Sequence, residues 1–261
     1  MDLQLEGRRA LVTGSHRGTG AIIARRLAEE GASVVVHGFE ADQADAIAAG
    51  IDGAQAVHGE LLSDDGAEAV WRAATAGGAV DILVNNYGRA GRGSFDSPAD
   101  DWHGMYGENV LSAARLVRLA LPALRAAGWG RILNLGTIGS TRPDRRNPHY
   151  YAAKGALATM TVALAKEVAG SGITVNLVSP GLIHTAEVEA WLTERGRAQG
   201  WGERWEEIEA HAVAEAFPNP VGRLARREEV ADLVCFLASE RAAFVHGQNV
   251  RIDGGAVDVV N

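Results

Sequence analysis

Seven short apolar runs recur along the chain, and helical patterns separate most of them. ALVTG, SVVVHG, AQAVHG, VDILVNN, WGRILNLG, SGITVNLVSPG and QNVRIDGG read as strands. GAIIARRLAEEG, ADQADAIAAGI, DDGAEAVWRAAT and ENVLSAARLVRLALPALRAAG read as helices, the last with Pro122 inside it, as does the stretch from Pro148 to about Ala169. Strands this apolar must be buried on both faces, which calls for helices above and below a parallel sheet. The predicted fold class is therefore α/β, a doubly wound parallel sheet. Its ligand is expected at the carboxyl ends of the strands.

One segment breaks the rhythm. His184 to Phe217 holds Trp191, Trp201 and Trp205 and is too helical for a linker and too long for a plain connection. It is expected to be a helical excursion within the domain, covering the substrate mouth. No repeat, linker or low-complexity tract occurs, so residues 1–261 read as a single domain.

Bulk properties exclude several function classes. With 47% apolar residues among 261, a full core can form. A net charge of −8 argues against nonspecific nucleic-acid binding. Cys235, the lone cysteine, lies in the apolar run VADLVCFLAS and reads as a buried structural thiol. No His/Asp/Glu cluster has metal-ligand spacing, so no metal is expected. No apolar run is long enough for a membrane span, and MDLQLEGRRALVTG does not look like a signal peptide. The cytoplasm is the default expectation.

TGSHRGTG, from Thr13 to Gly20, follows a strand and opens a helix. Gly14, Gly18 and Gly20 can bring backbone close to a dinucleotide pyrophosphate, and the helix start supplies free N–H groups and a positive dipole end. The spacing differs from the commoner Gly-x-Gly-x2-Gly fingerprint. GRAGRG, from Gly88 to Gly93, imitates that fingerprint, but GSFDSPADDW follows rather than an apolar helix, so it reads as a flexible loop.

PHYYAAKGAL carries the second motif. Tyr150 and Lys154 share a helix face, and Tyr151 also lies within reach of Lys154, so spacing alone does not choose between the tyrosines. A nearby ammonium stabilises phenolate and makes a tyrosine a usable acid or base. Taken together, TGSHRGTG, NNYG at Asn85–Gly88, Asn109 in GENV, YYAAK and SPG at Ser179–Gly181 stand in the order and spacing of one family. Over essentially its full length the chain resembles the short-chain dehydrogenase/reductase family, and within it the 3-oxoacyl-(acyl-carrier-protein) reductase-like members.

The resemblance implies a Rossmann-type domain and an NAD(P)-dependent oxidoreductase acting on a small carbonyl or secondary alcohol. The family motif selects Tyr150 as the residue that exchanges a proton with the substrate oxygen. Lys154 would lower the tyrosine pKa and hold the nicotinamide ribose. Thr137 stands where the family usually has serine and would orient the substrate oxygen. Asn109 would hold a water linking Lys154 to solvent. Ser15, His16, Arg17, Thr19, Leu61, Asn86, Gly88, Pro180, Gly181, Ile183 and Thr185 would line the cofactor beside the glycines, with Glu60 replacing the usual aspartate near adenine. Tyr87 replaces a small alanine and is expected to crowd the cofactor cleft or stack in it.

Cofactor choice follows from the end of the second strand, VVVHGFEAD. The resemblance puts Gly38 where an NAD-preferring member carries an acid, and Phe39 where an NADP-preferring member often carries arginine. Arg17 matches a basic position of NADP-preferring relatives, and His16 and His37 are expected to add donors. Glu40 and Asp42, just beyond, would repel a 2′-phosphate. NADP(H) is favoured, with an NAD(H)-dependent alcohol dehydrogenase as the alternative. A nonenzymatic dinucleotide-binding or sensor protein is the reading from another class. Arg89, Arg92, Arg142, Arg145, Arg146, His184, Trp191 and Trp201 are candidate pocket-wall residues. Residues 108–127 and 149–169 supply the helices through which the family forms homodimers or homotetramers.

Overall fold

The structure is a computed structural model and describes residues 1–259. All seven predicted strands form: β1 (Arg9–Val12), β2 (Ser33–Gly38), β3 (Gln55–His58), β4 (Ile82–Asn85), β5 (Gly130–Leu135), β6 (Ile173–Pro180) and β7 (Asn249–Ile252). They pair parallel throughout in the order β3-β2-β1-β4-β5-β6-β7. β4, β5 and β6 are buried at every position, as their unbroken apolar runs require. The chain leaves β1 toward β2 but later returns to β1's other side with β4. The loops after β1 and β4 therefore diverge, and a crevice opens between them.

Two apolar layers flank the sheet. One packs α1 (Gly18–Glu29), α2 (Ala41–Ala48) and α9 (Arg227–Ala238) on one face; Cys235 sits inside it, where burial pushes the thiol pKa up. The other packs α3 (Asp64–Thr75), α5 (Ser112–Ala127) and α6 (Pro148–Glu167) on the opposite face. Between β7 and the edge of β3 no strand faces backwards, so every strand presents its carboxyl end to one rim.

One helix escaped the sequence pattern. α4 spans Ala99–Tyr106, beyond the GRAGRG loop, in a stretch where the sequence shows no apolar helical pattern. It buries one apolar side chain, Met105, and so shows no apolar period. Its readable signal is a start signal: Pro98 at the cap, then Asp100 and Asp101 in the first turn. α4 runs into α5 through a π-helical turn, Gly107–Leu111, and such turns are common at functional sites. Asn109 lies in that turn and is buried.

The excursion forms two helices, α7 (Ala186–Gln199) and α8 (Trp205–Glu215), around a small core of their own. Trp201 is buried in that core beside Leu192 and Ile208, and Trp191 meets Phe217 edge-on at 5.8 Å. Among the described residues no helix is long and apolar enough to cross a membrane.

A buried polar chain ties α6 to the sheet. Asn85 Nδ2 on β4 donates to Asn134 Oδ1 on β5 at 2.9 Å, and Asn134 Nδ2 donates to Thr161 Oγ1 on α6 at 2.9 Å. Thr161 Oγ1 donates in turn to the Leu157 carbonyl at 2.9 Å. Removing the middle member strands its buried partners. Asn134→Leu is expected to lower unfolding free energy by about 2 kcal/mol, measured by urea titration; an unchanged midpoint would show that the chain does not hold α6.

Candidate active site

The carboxyl rim of β4, β5 and β6 gathers the predicted catalytic residues. Asn147, a non-glycine residue at φ 59, starts α6 just before Pro148. Its side-chain oxygen accepts from Gly93 N–H at 3.2 Å, and its own N–H donates to the Gly93 carbonyl at 3.0 Å. The GRAGRG loop is thereby tied to the start of α6. One turn on, α6 turns Tyr150 toward Thr137, which ends the β5 loop. Both line a cavity of about 870 Å³, with Tyr151, Asn147, Leu182 and Phe217 among its other walls.

Lys154 follows one turn later and is 4% exposed. Its Nζ donates to the Leu135 carbonyl at 2.7 Å. Burial lowers its pKa from 10.5 to about 8. Tyr150 moves the other way: burial, then the Tyr151 phenol beside it, push it up to about 12, against a smaller opposing effect of its hydrogen bond with Thr137. Tyr150 is thus a neutral phenol at neutral pH. Lys154 is not among the causes of that shift, so the lowering expected from a nearby ammonium is not seen at Tyr150.

Asn109 completes the group. Its Nδ2 donates to the Arg89 and Met105 carbonyls at 3.1 and 3.0 Å, which fixes the amide. Its Oδ1 is buried and unpartnered. A Cβ on Gly88 would sit 2.5 Å from that oxygen and 3.1 Å from Lys154 Nζ, so glycine keeps open the niche where both converge. An acceptor and an ammonium facing one niche suit a bridging hydroxyl or water.

The glycine turn is built as its spacing implies. Gly18 takes φ 59, and α1 opens with no side-chain cap, leaving its first N–H groups for an anion. Asn86 Nδ2 donates to the Thr13 carbonyl at 2.8 Å, and Tyr87 N–H donates to Thr13 Oγ1 at 2.9 Å, so the β1 and β4 loops are joined. Ser15 Oγ donates to the Val12 carbonyl at 2.7 Å. Pro180 ends β6, and Gly181 N–H donates to the Ile252 carbonyl at 3.0 Å. Ile183 bridges to Ala225, and Thr185 caps α7 by accepting from Val188 N–H at 3.3 Å. The residues present fit an extended dinucleotide laid along this rim.

Several expected contributors are engaged elsewhere. His37 is fully buried; its Nδ1 accepts from Gly14 N–H at 3.0 Å and its Nε2 donates to the Gly59 carbonyl at 3.0 Å. Burial drops its pKa to about 4. It therefore offers no free donor to a 2′-phosphate, and that expectation is corrected. His16 lies beside it, with its pKa lowered first by burial and then by Arg17. Glu60 folds onto the turn before α3: its carboxylate accepts from Leu62 N–H at 2.5 Å, Ser63 N–H at 3.0 Å and the hydroxyl of Ser63, the α3 N-cap. The Ser63 hydroxyl is the main cause of its lowered pKa. Leu61 is buried in the core. Gly38 lacks an acid for a steric reason, since a Cβ there would lie 3.0 Å from Ala44 N and Gln43 Cβ of α2. Arg17 reaches across to Glu187 on α7 at 2.9 Å.

Of the candidate wall residues, Arg142 lines the cavity. Arg89 pairs with Glu108 and Arg146 with Asp144. Arg92 and Arg145 are not among its walls. His184 stacks on Trp205 at 4.4 Å and meets Glu189 at 2.8 Å instead, and Trp201 and Trp191 pack within the excursion. Among the wall residues that the loop-arginine reading missed is Tyr151, whose ring lies where a methyl on Gly139 would be. Gly139 two residues after Thr137 was its signal. Among the described residues no group of three or more His, Cys, Asp or Glu is placed to hold a metal ion.

A model of the family described as enoyl-(acyl carrier protein) reductase matches residues 14–257. The chain is 35% identical to D-beta-hydroxybutyrate dehydrogenase of Cupriavidus necator, over 97% of this chain and 99% of that one. It is 34% identical to 3-oxoacyl-(acyl-carrier-protein) reductase of Vibrio cholerae, over 97% and 98%. Its fold is similar to L-sorbose reductase from Gluconobacter frateurii, solved with NADPH and L-sorbose, at a TM-score of 0.92, 31% identity and full coverage of both chains. The protein belongs to the short-chain dehydrogenase/reductase family and is an NAD(P)-dependent oxidoreductase. Among its members it resembles the 3-oxoacyl-(acyl-carrier-protein) reductases.

The buried ammonium carries a measurable cost. In the unfolded chain Lys154 titrates near 10.5, in the folded chain near 8. The unfolded state binds more protons between those values, so wild-type stability gains as pH rises through them, by roughly 3 kcal/mol in all. Lys154→Met has no such gain. Its melting temperature relative to wild type is expected to fall steadily between pH 7 and pH 10.5; a constant difference would mean Lys154 is not buried in charged form at neutral pH.

Proposed function

We propose that the protein is an NADP(H)-preferring oxidoreductase that moves hydride between the nicotinamide and a carbonyl or secondary alcohol carbon, with Tyr150 as general acid and base. The observation that carries this is that Thr137 and Tyr150 line one cavity while, one turn along α6, Lys154 faces Asn109 across the niche beside Gly88. The bound nicotinamide supplies or takes the hydride at its C4. Tyr150 gives a proton to the substrate oxygen in the reducing direction, and its raised pKa keeps that proton in place at neutral pH. The Thr137 hydroxyl orients the same oxygen. Lys154 would return a proton to Tyr150, resupplied from solvent by a water that Asn109 Oδ1 would hold in the niche beside Gly88. α7 and α8 cover the substrate, with Thr185, Val188 and Phe217 contributing to the wall.

Support for NADP(H) comes from the acid-free Gly38 position, the basic Arg17 and the NADPH held by the sorbose reductase. Arg17 is exposed and its partner Glu187 is equally so, a pair worth little in water and readily exchanged for a phosphate. Leu111 and Val162 leave apolar side chains exposed on the α5 and α6 face, which supports assembly of two or four copies there.

The test is oxidation of NADPH and NADH, followed by absorbance, against ketones, quinones, β-keto esters and sugars. Tyr150→Phe is expected to lower kcat by at least about 100-fold, while Tyr151→Phe keeps turnover. Arg17→Ala is expected to lower kcat/KM with NADPH and leave NADH unchanged. Turnover that survives in Tyr150→Phe would overturn the catalytic assignment, and a clear NADH preference in the wild type would overturn the cofactor assignment.

A further inference from the structure

Most polar groups at the adenosine end of the crevice already have partners. His37 uses both ring nitrogens on Gly14 and Gly59. Glu60 uses its carboxylate on the turn before α3. Gly38 has no side chain, and Arg17 is paired with Glu187. What stands at this end instead is aromatic. Phe39 follows β2 and Tyr87 follows β4, the two strands that flank β1. Their ring centroids lie 4.8 Å apart at 57°, so the rings meet across the carboxyl end of β1 and its glycine turn. His16 and His37 meet Phe39 edge-on at 5.7 and 5.2 Å.

The two rings are held unequally. Tyr87 is anchored: its N–H is bonded to Thr13 and its side chain packs on the core under the crevice. Phe39 is fixed through its backbone, which donates to Gln43 Oε1 at 3.1 Å, so its side-chain torsions remain the moving part. A planar base between two rings needs about 7 Å, twice the carbon–carbon contact distance. The closed pair leaves less than that, so a base can enter only as Phe39 swings off Tyr87.

We propose that Phe39 and Tyr87 form an aromatic clamp for the purine of the dinucleotide, with Phe39 as the moving jaw. The rings stand against each other at 4.8 Å; on binding, the base takes over the stacking contact with Phe39. The clamp reads the face of the base and is blind to the ribose 2′ position. It strengthens NADP(H) and NAD(H) alike and leaves discrimination between them to Arg17. The inference rests on the dinucleotide-binding reading above.

Isothermal titration calorimetry with NADPH, NADH and ADP-ribose separates the possibilities without turnover. Phe39→Ala is expected to weaken all three by a common factor of about 10, within the range that base–aromatic stacking commands. Phe39→Tyr, which keeps the ring, is expected to bind like the wild type, and a melting curve of each variant verifies folding. Arg17→Ala is expected to weaken NADPH alone. Unchanged or tighter binding by Phe39→Ala would overturn the clamp and make Phe39 a plug. A loss confined to NADPH would overturn it also, by placing Phe39 at the phosphate. A wild type that binds none of the three would overturn the dinucleotide reading, and the clamp with it.

Discussion

The site stands on one buried polar chain, Asn85 to Asn134 to Thr161. A helix on a sheet face can slide and rotate at little cost while its contacts are purely apolar, because dispersion and burial have no direction. Hydrogen bonds between three fully buried side chains do have direction. They set α6 at one height and one rotation on the sheet. That setting carries Tyr150 to Thr137 and brings Lys154 Nζ to the Leu135 carbonyl. The other buried contacts of α6, through Ala153, Leu157, Leu164 and Ala165, are apolar and set no height or rotation by themselves.

Burial works against the chemistry's own charges, and the protein accepts that cost. Lys154 is held where an ammonium is poorly solvated, with a single carbonyl as its partner. Asn109 Oδ1 stays unpaired a short way off. Each is an unfavourable arrangement in a resting protein, and each becomes favourable once a hydroxyl-bearing group fills the niche between them. Preorganised polar groups that find their partners late are the usual structural form of electrostatic catalysis.

Much of this was legible in the sequence. The central strands β1, β2, β4, β5 and β6 announce themselves because a doubly covered sheet demands apolar runs; TGSHRGTG follows β1, and YYAAK lies in the first turns of α6. Tyr150, Lys154, Thr137 and Asn109 could be named from the family resemblance, and the fold draws them from α6, the end of β5 and the π-helical turn before α5. α4 was not legible, since a helix that buries Met105 alone leaves no period to read. His37 and Glu60 were misread in part for a different reason. A motif identifies a position, but whether a side chain there is free depends on neighbours distant in sequence, such as Gly14 for His37, or on a local cap, such as Ser63 for Glu60. The wall role offered to Trp201 and His184 fails likewise, because α7 and α8 keep enough apolar surface to make a core of their own.

The strand order has a consequence in time. β1 finds its second neighbour, β4, only after the whole of β2 and β3 has been laid to its other side, and β7 joins β6 near the chain's end. Contacts so far apart in sequence cost loop entropy before they return anything, which slows folding. On a ribosome, the emerging chain passes through a stage in which β4, apolar but for Asn85, is an open edge awaiting β5. That edge is where a growing or partly unfolded copy is most exposed to pairing with another, so the same topology that opens a ligand crevice also sets the point of greatest aggregation hazard during synthesis.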